Sequence, residues 1–492
     1  MKTFSLRASA LWAFFACLAC IAAAQPSAKP IPSSSEAAVA QRFLKLRSNP
    51  LLLHAFLWQM PKGGDLHNHL SGAAYAEHFI QLAADSGLCI DRSTMTAESC
   101  KAPENNACDA SREHESAWCA LSDPVLYRSL IDAWSMRNYA RGPQSGHDHF
   151  FDTFGKFDAA SNDAGALMAE VADRAARQNE QYLELMVIPG LDGAFALGSK
   201  LGWNMGSEAP EQYFERARAQ LNQNGLGEIV AAGRKWLDAQ EATMRRQLGC
   251  NSSQPQPGCT MTIRYVAEVL RGFPREVVFA QIAASFEIAK QDARVVSVNP
   301  VMPEDGYTSM TDYDLHMRMF AYFHRLYPEV RLTMHAGELA PGLVPPAGLR
   351  NHIREAIAAG AERIGHGVDV MYEDRPFELL HEMAQKHVAV EICLTSNDGI
   401  LSVTGDRHPF PIYLRYGVPV VIATDDEGVS RSDMTREYER AVETYGIAYP
   451  ELKSIVRNSI TYSFLPPAEK TAQLKDLEAR FAVFEREMLK QP

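Results

Sequence analysis

Eight short apolar runs rich in β-formers recur along this chain, most of them separated by helix-period segments, and few folds accommodate that alternation. The runs are Gly64–Leu70, Tyr182–Ile188, Thr262–Leu270, Arg294–Asn299, Val330–His335, Arg363–His366, Val388–Cys393 and Pro419–Asp425. Between them lie Glu276–Lys290, Tyr313–Leu326, Gly348–Ala358 and Pro376–Lys386, whose apolar residues follow a helical period. Strands that alternate with helices pair in parallel, because each helix carries the chain back over the sheet. Eight such units predict an α/β fold of the (β/α)8 TIM barrel type. An open doubly wound sheet would usually carry a Gly-rich phosphate turn after its first strand, and none stands there.

A chain of 492 residues has room for one such barrel with insertions. Residues 1–24 read as a leader, 25–60 as a linker and helical extension, 61–465 as the barrel and 466–492 as a C-terminal helix. A Cys-bearing insertion is expected at about 85–125, after the first strand. The leader starts with Lys2 and Arg7, continues as an Ala-rich apolar run, and ends in Ala22-Ala23-Ala24 before Gln25. That pattern fits a cleaved signal peptide, and the run is short for a membrane anchor. The expected location is therefore secreted or periplasmic, without a membrane anchor after cleavage.

Cysteine usage agrees with export. Cys17 and Cys20 fall in the leader, which leaves seven. Cys89, Cys100, Cys108 and Cys119 cluster in a polar stretch, Cys250 and Cys259 flank a loop, and Cys393 stands in an apolar run. Three disulfides and one buried thiol are expected. The four-Cys cluster allows three pairings, whereas Cys250–Cys259 is a natural local pair. A zinc knuckle at 89–119 fails on spacing, because no C-x2-C pair is present. A net charge of −12 argues against binding a nucleic-acid backbone. It permits a small uncharged partner.

The chemistry sits at the strand ends. In a (β/α)8 barrel, reactive groups project from the C-terminal ends of the strands. His67 and His69 end the first run, and residues i and i+2 of a strand share a face, so both imidazoles can meet one ion. His335 ends the fifth run, His366 the sixth, and Asp425 and Asp426 the eighth. Three His and one carboxylate make a zinc set with a position open for water, whose pKa zinc lowers towards ~7. Glu338, three residues beyond His335, suits a proton donor or acceptor, and His366 suits a group that orients or deprotonates the water. Singly, each of these residues has a structural explanation: a core histidine, or a helix cap for the Asp pair. Their order on successive strand ends favours the chemical one.

These residues resemble the motifs of the adenosine deaminase family. Met60-Pro61-Lys62-Gly63-Gly64-Asp65-Leu66-His67-Asn68-His69-Leu70-Ser71-Gly72-Ala73 is similar to its opening motif. His335-Ala336-Gly337-Glu338, Gly365-His366-Gly367, Cys393-Leu394-Thr395-Ser396-Asn397 and Thr424-Asp425-Asp426 resemble its later motifs, in the same order. The resemblance runs from about residue 60 to 465. The leader, the Cys-bearing insertion and Phe151-Asp152-Thr153-Phe154-Gly155-Lys156-Phe157 are similar to the secreted, growth-factor-related branch. The resemblance implies one Zn2+ per chain on His67, His69, His335 and Asp425. It implies Glu338 as the group that protonates the purine ring, His366 as the group that activates the hydroxide on the metal, and Asp426 as a contact to water and a ring nitrogen. Substrate contacts are expected from His69, Ser71, Met302 and Asp426. The implied reaction is hydrolytic deamination of adenosine or 2′-deoxyadenosine to the inosine product and ammonia.

Two positions depart from the family pattern. Ser71 stands where intracellular members carry an Asp that contacts ribose, and Met302 occupies a position that is usually Gly. Both bear on which 6-aminopurine derivative is accepted. A secreted binding protein without catalysis is the competing reading, but every ligand and Glu338 are present. A superfamily relative with two metals would need a Lys at the end of the fourth strand, and none is there. His147-Asp148-His149 suits an active-site cover or a surface role, Met317, Met319 and Phe320 suit core packing, and Glu391 suits a structural role. A homodimer remains open.

Overall fold

The computed structural model describes residues 34–100, 108–109, 111–139 and 144–491. The leader expected at 1–24 lies outside the described residues. Eight parallel strands form the sheet: β1 (Gly63–His69), β2 (Glu180–Val187), β3 (Thr262–Leu270), β4 (Val295–Val301), β5 (Arg331–Ala336), β6 (Arg363–His366), β7 (Ala389–Ile392) and β8 (Val420–Ile422). They pair in sequence order. The ring closes just beyond β8, where Asp425 N–H donates to His67 O at 2.9 Å and His69 N–H donates to Asp425 O at 3.2 Å. This is a TIM barrel, as the alternation predicts, and all eight expected strands occur. β8 is shorter than expected and stops before Asp425. β7 ends at Ile392, so Cys393 caps the helix Leu394–Leu401 instead of ending a strand.

The barrel interior is charged where most barrels are aliphatic. Arg363 on β6 donates through one terminal nitrogen to Glu184 on β2 at 2.5 Å, and through Nε to Glu391 on β7 at 2.6 Å. β2 and β6 lie on opposite sides of the ring, so that contact must cross the interior. The guanidinium also lies over the Phe464 ring, 3.9 Å from its centroid. Tyr182 OH and the Phe464 N–H donate to the remaining oxygen of Glu184, each at 2.8 Å.

Helices flank the barrel on its N- and C-terminal sides. The helix Pro50–Gln59 starts at Asn49, whose side chain accepts from the Leu51 and Leu52 N–H groups, with Pro50 as its first residue. Its C-terminal carbonyls meet the buried Lys62 ammonium, which donates to Leu57 O, Met60 O and, across the chain, Gln178 O. The helices Ser34–Leu46 and Pro467–Lys490 pack together, joined by Lys453 donating to both Glu36 and Glu485. The insertion after β1 is a three-stranded antiparallel sheet, Cys89–Asp91, Thr96–Glu98 and His114–Ser116. The disulfides Cys89–Cys100 and Cys108–Cys119 staple it. Cys250–Cys259 closes the expected local loop, and Cys393 is the buried free thiol.

Removing the Arg363 guanidinium should strand two buried carboxylates. Arg363→Met is expected to cost ~3–5 kcal/mol, seen as a lowered calorimetric Tm. Arg331→Met, which breaks the half-exposed pair with Glu362, should cost under ~1 kcal/mol. Equal losses would contradict this account of the barrel interior.

Candidate active site

Four donor atoms converge at the C-terminal mouth of the barrel. His335 Nε2 lies 3.1 Å from His67 Nε2 and 3.2 Å from His69 Nε2. Asp425 Oδ1 lies 3.3 Å from His67 Nε2 and 3.4 Å from His69 Nε2. Ligands ~2.0–2.1 Å from a tetrahedral zinc ion stand roughly 3.3 Å from one another, so the spacing fits such an ion.

The other nitrogen of each ring explains why these lone pairs face inward. His67 Nδ1 lies 2.6 Å from Glu391 Oε2, His69 Nδ1 lies 2.5 Å from Glu268 Oε1, and His335 Nδ1 lies 2.9 Å from Asn299 Oδ1. Asn299 Oδ1 also accepts the His335 backbone N–H at 2.9 Å, which identifies that atom as the oxygen. Each ring therefore donates from Nδ1 and presents a bare Nε2. Three lone pairs and a carboxylate oxygen at these separations repel unless a positive charge sits among them. A proton competes with a cation for that place: burial would lower the His67 pKa, but contacts with Asp425 and Glu391 outweigh it and raise the ring to about 10. Burial would raise Asp425, but the same imidazoles hold it well below the usual range. The donor set suits a divalent cation.

Glu391, Glu268 and Asn299 are the functional residues that sequence reasoning missed. Glu391 has more than the structural role expected for it. Burial would raise its pKa, but Arg363, His67 and Thr333 bring it down to about 2, so it meets His67 as a full anion. The available signal was the acidic residues embedded in otherwise apolar strands at 184, 268 and 391.

The proton-handling groups surround this cluster. Gly337 N–H and Glu338 N–H donate to the two oxygens of buried Glu304, at 3.1 and 2.8 Å. Gly337 adopts φ +75°, and an added Cβ would lie 2.4 Å from Asp369 Oδ1. Only glycine therefore makes the turn that brings Glu338 round. Burial, then the charges of Asp425 and Glu304, raise the Glu338 carboxyl to about 8, so it carries a proton at neutral pH. Its Oε1 lies 3.6 Å from His366 Nε2. Burial lowers the His366 pKa to about 3, keeping the ring neutral. Burial and the charge of Asp425 raise Asp426 well above its ordinary value.

Gly365 and Gly72 make room for this arrangement. A Cβ on Gly365 would lie 2.7 Å from His67 Cε1, and one on Gly72 would lie 1.7 Å from Asp426 Oδ1. Three site residues take left-handed backbone: His366 at φ +69°, Asp425 at +61° and Met302 at +84°. Such strain costs ~1–3 kcal/mol per residue and persists where the surrounding fold over-determines it.

The substrate-contact candidates divide. His69 and Asp426 belong to the cluster. Ser71 lies exposed on the short helix Leu70–Ala73. Met302 follows β4, and its thioether packs on Gly272, where an added Cβ would meet Met302 Cε at 2.8 Å. His147 belongs to the mouth and not to the metal cluster. Its Nε2 lies 2.9 Å from Asp305 Oδ1, which ties the helix Gly146–Phe157 to the loop after β4. It borders a cavity of about 380 Å³ with Tyr139, Ser145, Ala340, Leu343 and Leu401.

Fold and site together define a TIM barrel with a metal-capable His3Asp cluster at its mouth. The adenosine deaminase family matches residues 145–479, more than half of the chain. The chain belongs to the adenosine deaminase family. An adenosine deaminase of Pectobacterium atrosepticum is 32% identical over 212 residues, covering 42% of this chain and 56% of its own length. The chain thus spans about half the length of the curated relatives it matches. Two solved structures share the fold. An amidohydrolase of Burkholderia ambifaria with bound Zn is 18% identical with TM-score 0.56, covering 89% of this chain and 95% of its own. The N6-methyl-AMP deaminase of Arabidopsis thaliana is 17% identical with TM-score 0.55, covering 87% and 98%.

If Glu391 sets the basicity and orientation of His67, Glu391→Gln should weaken metal binding about 10–100-fold. Competition with a chromophoric chelator measures this. Unchanged affinity in a folded variant would return Glu391 to a purely structural role.

Proposed function

We propose that this chain is a zinc-dependent aminohydrolase that converts adenosine or 2′-deoxyadenosine and water to the corresponding inosine and ammonia. One observation carries the proposal: the buried Glu338 carboxyl, pushed up to about 8 by burial and the charges of Asp425 and Glu304, stands at the edge of a cluster that could hold a divalent cation. His67, His69, His335 and Asp425 would hold zinc, one ion per chain. Bound there, zinc would lower the pKa of a water towards ~7 and supply the nucleophile at neutral pH.

The protein's own groups then prepare the purine. A carboxylic acid with a pKa near 8 is a good donor at neutral pH, so Glu338 donates to the ring nitrogen beside the carbon that bears the amino group. Taking that proton draws electron density from the carbon and makes it electrophilic. Asp426, with a buried Oδ1 that has no partner, is placed to meet a nitrogen on the five-membered ring. Burial of all these groups keeps water from competing with their hydrogen bonds.

The partner is thus a neutral purine nucleoside and not a nucleic acid. Three disulfides support an oxidising destination, which fits the leader and the secreted, growth-factor-related branch. Among the described residues no helix is long and apolar enough to cross a membrane. A homodimer is compatible with this reading. A second substrate reading, another 6-aminopurine derivative, is favoured by Met302. Met302 holds φ +84° at a position where the family pattern has Gly, so its side chain must be accommodated beside the purine.

The decisive measurement is the ultraviolet shift of adenosine on incubation with the purified protein, before and after chelation. The proposal expects a shift to the inosine spectrum that chelation abolishes and zinc restores. Glu338→Gln should lower kcat ~10²–10⁴-fold at unchanged metal content. Silence of folded, zinc-loaded protein on adenosine would remove that substrate. Met302→Gly is expected to change KM between adenosine and N6-substituted analogues more than it changes kcat. Equal KM changes across the series would separate Met302 from substrate choice.

A further inference from the structure

A chain of hydrogen bonds reaches His366 from the side away from the metal cluster. His366 Nδ1 lies 3.0 Å from Asn397 Nδ2, and Asn397 Oδ1 lies 3.0 Å from His408 Nε2. Phe410 N–H donates to His408 Nδ1 at 3.1 Å. All three side chains are buried. The last link sets the direction of the rest, because a backbone N–H can only donate. His408 Nδ1 is therefore an acceptor, and the ring's single proton sits on Nε2. That N–H requires an oxygen opposite, which fixes the Asn397 amide with Oδ1 towards His408 and Nδ2 towards His366. The amide N–H in turn claims the lone pair of His366 Nδ1. The neutral His366 ring must then carry its proton on Nε2.

That nitrogen faces the reaction space. His366 Nε2 is buried without a hydrogen-bond partner and lies 3.6 Å from Glu338 Oε1. The His366 ring centroid stands 4.9 Å from that of His67 and 5.1 Å from that of His335. A histidine with Nδ1 engaged and Nε2 protonated has no free lone pair, so it cannot receive a proton from water.

We infer that Phe410 N–H, His408 and Asn397 form a relay that holds His366 in the Nε2–H tautomer, making it a hydrogen-bond donor to the reacting oxygen and not its base. His408 and Asn397 are positioning residues: they lie outside the metal cluster and act only through His366. Of the two roles the sequence left open for His366, orienting the water and deprotonating it, the relay selects the first. The inference rests on the deaminase reading for the identity of the oxygen, but the tautomer is observable without any substrate.

Asn397→Asp tests the relay because it is isosteric and inverts its polarity. A carboxylate accepts from both neighbours, so His366 should move its proton to Nδ1 and turn a bare lone pair towards the cluster. The readout is 15N NMR of histidine-labelled full-length protein, with the His366 signals assigned by substitution. The wild type should show Nε2–H at His366 and the variant Nδ1–H. kcat should fall ~100-fold, the scale of one lost donor to a developing oxyanion, with KM within about twofold and zinc content unchanged. His408→Gln keeps a donor nitrogen near the place of Nε2 and should retain both tautomer and rate, whereas His408→Phe should lose both. An Nδ1–H signal in the wild type, or an inverted tautomer with wild-type kcat, would overturn the inference. Wild-type protein with the Nε2–H tautomer but no action on adenosine would count against the substrate and leave the relay standing.

Discussion

The ion pairs of Arg363 connect the floor of this barrel to its chemistry. Its guanidinium is shared between Glu184 and Glu391, and Glu391 in turn receives the proton of His67 Nδ1. A barrel with an aliphatic interior would support the strands equally well, and a buried ion pair seldom stabilises a fold more than well-packed apolar residues do. The charged column has a different consequence. It supplies an anion, held ionised by Arg363, directly behind one imidazole of the cluster. The interior layer is therefore part of the site's electrostatics, and the fold carries the cost of desolvating it.

The same economy appears in the backbone. His366, Asp425 and Met302 adopt left-handed conformations at the ends or just beyond the ends of their strands, while Gly337 makes the turn that returns Glu338 to the cluster. Strands end here by turning sharply, which aims side chains inward that a continuing strand would have pointed along the barrel wall. The glycines of the motifs serve two purposes. Gly337 supplies a conformation, whereas Gly365 and Gly72 supply space for the His67 ring and the Asp426 carboxylate. A motif such as Gly-His-Gly is thus a description of a strained turn around a reactive ring.

The features that obey a short period were legible in the sequence. β3 and β6 have the expected boundaries, and so do the helices Tyr313–Leu326 and Pro376–Lys386, because alternation and amphipathicity are local. The four donor residues were legible because each lies in or just beyond the C-terminal part of a strand, and strand ends meet in a barrel. The supporting residues were not. Glu268 and Glu391 lie on different strands from the histidines they hold, nearly 200 and more than 300 positions away. Their place in otherwise apolar strands marks them as buried, but nothing local names the histidines they hold. His408 was equally silent, since its role depends on one backbone N–H two residues later. The three helices between β2 and β3 went unassigned because no strand-end chemistry drew attention to them.

Closure of the ring and assembly of the cluster are one event. The backbone bonds that join the end of β8 to β1 are made by Asp425, His67 and His69, three of the four donor residues. β8 itself has only three residues, so the seam has little ladder of its own. A cation shared by His67, His69 and Asp425 would cross-link the first strand to the last, and through His335 to the strand across the mouth. Because an unfolded chain offers no such set, the binding free energy would add to the stability of the closed barrel. The seam that is weakest in hydrogen bonds is the one the site can clamp, so the chemistry of the mouth also bears on whether the barrel stays shut.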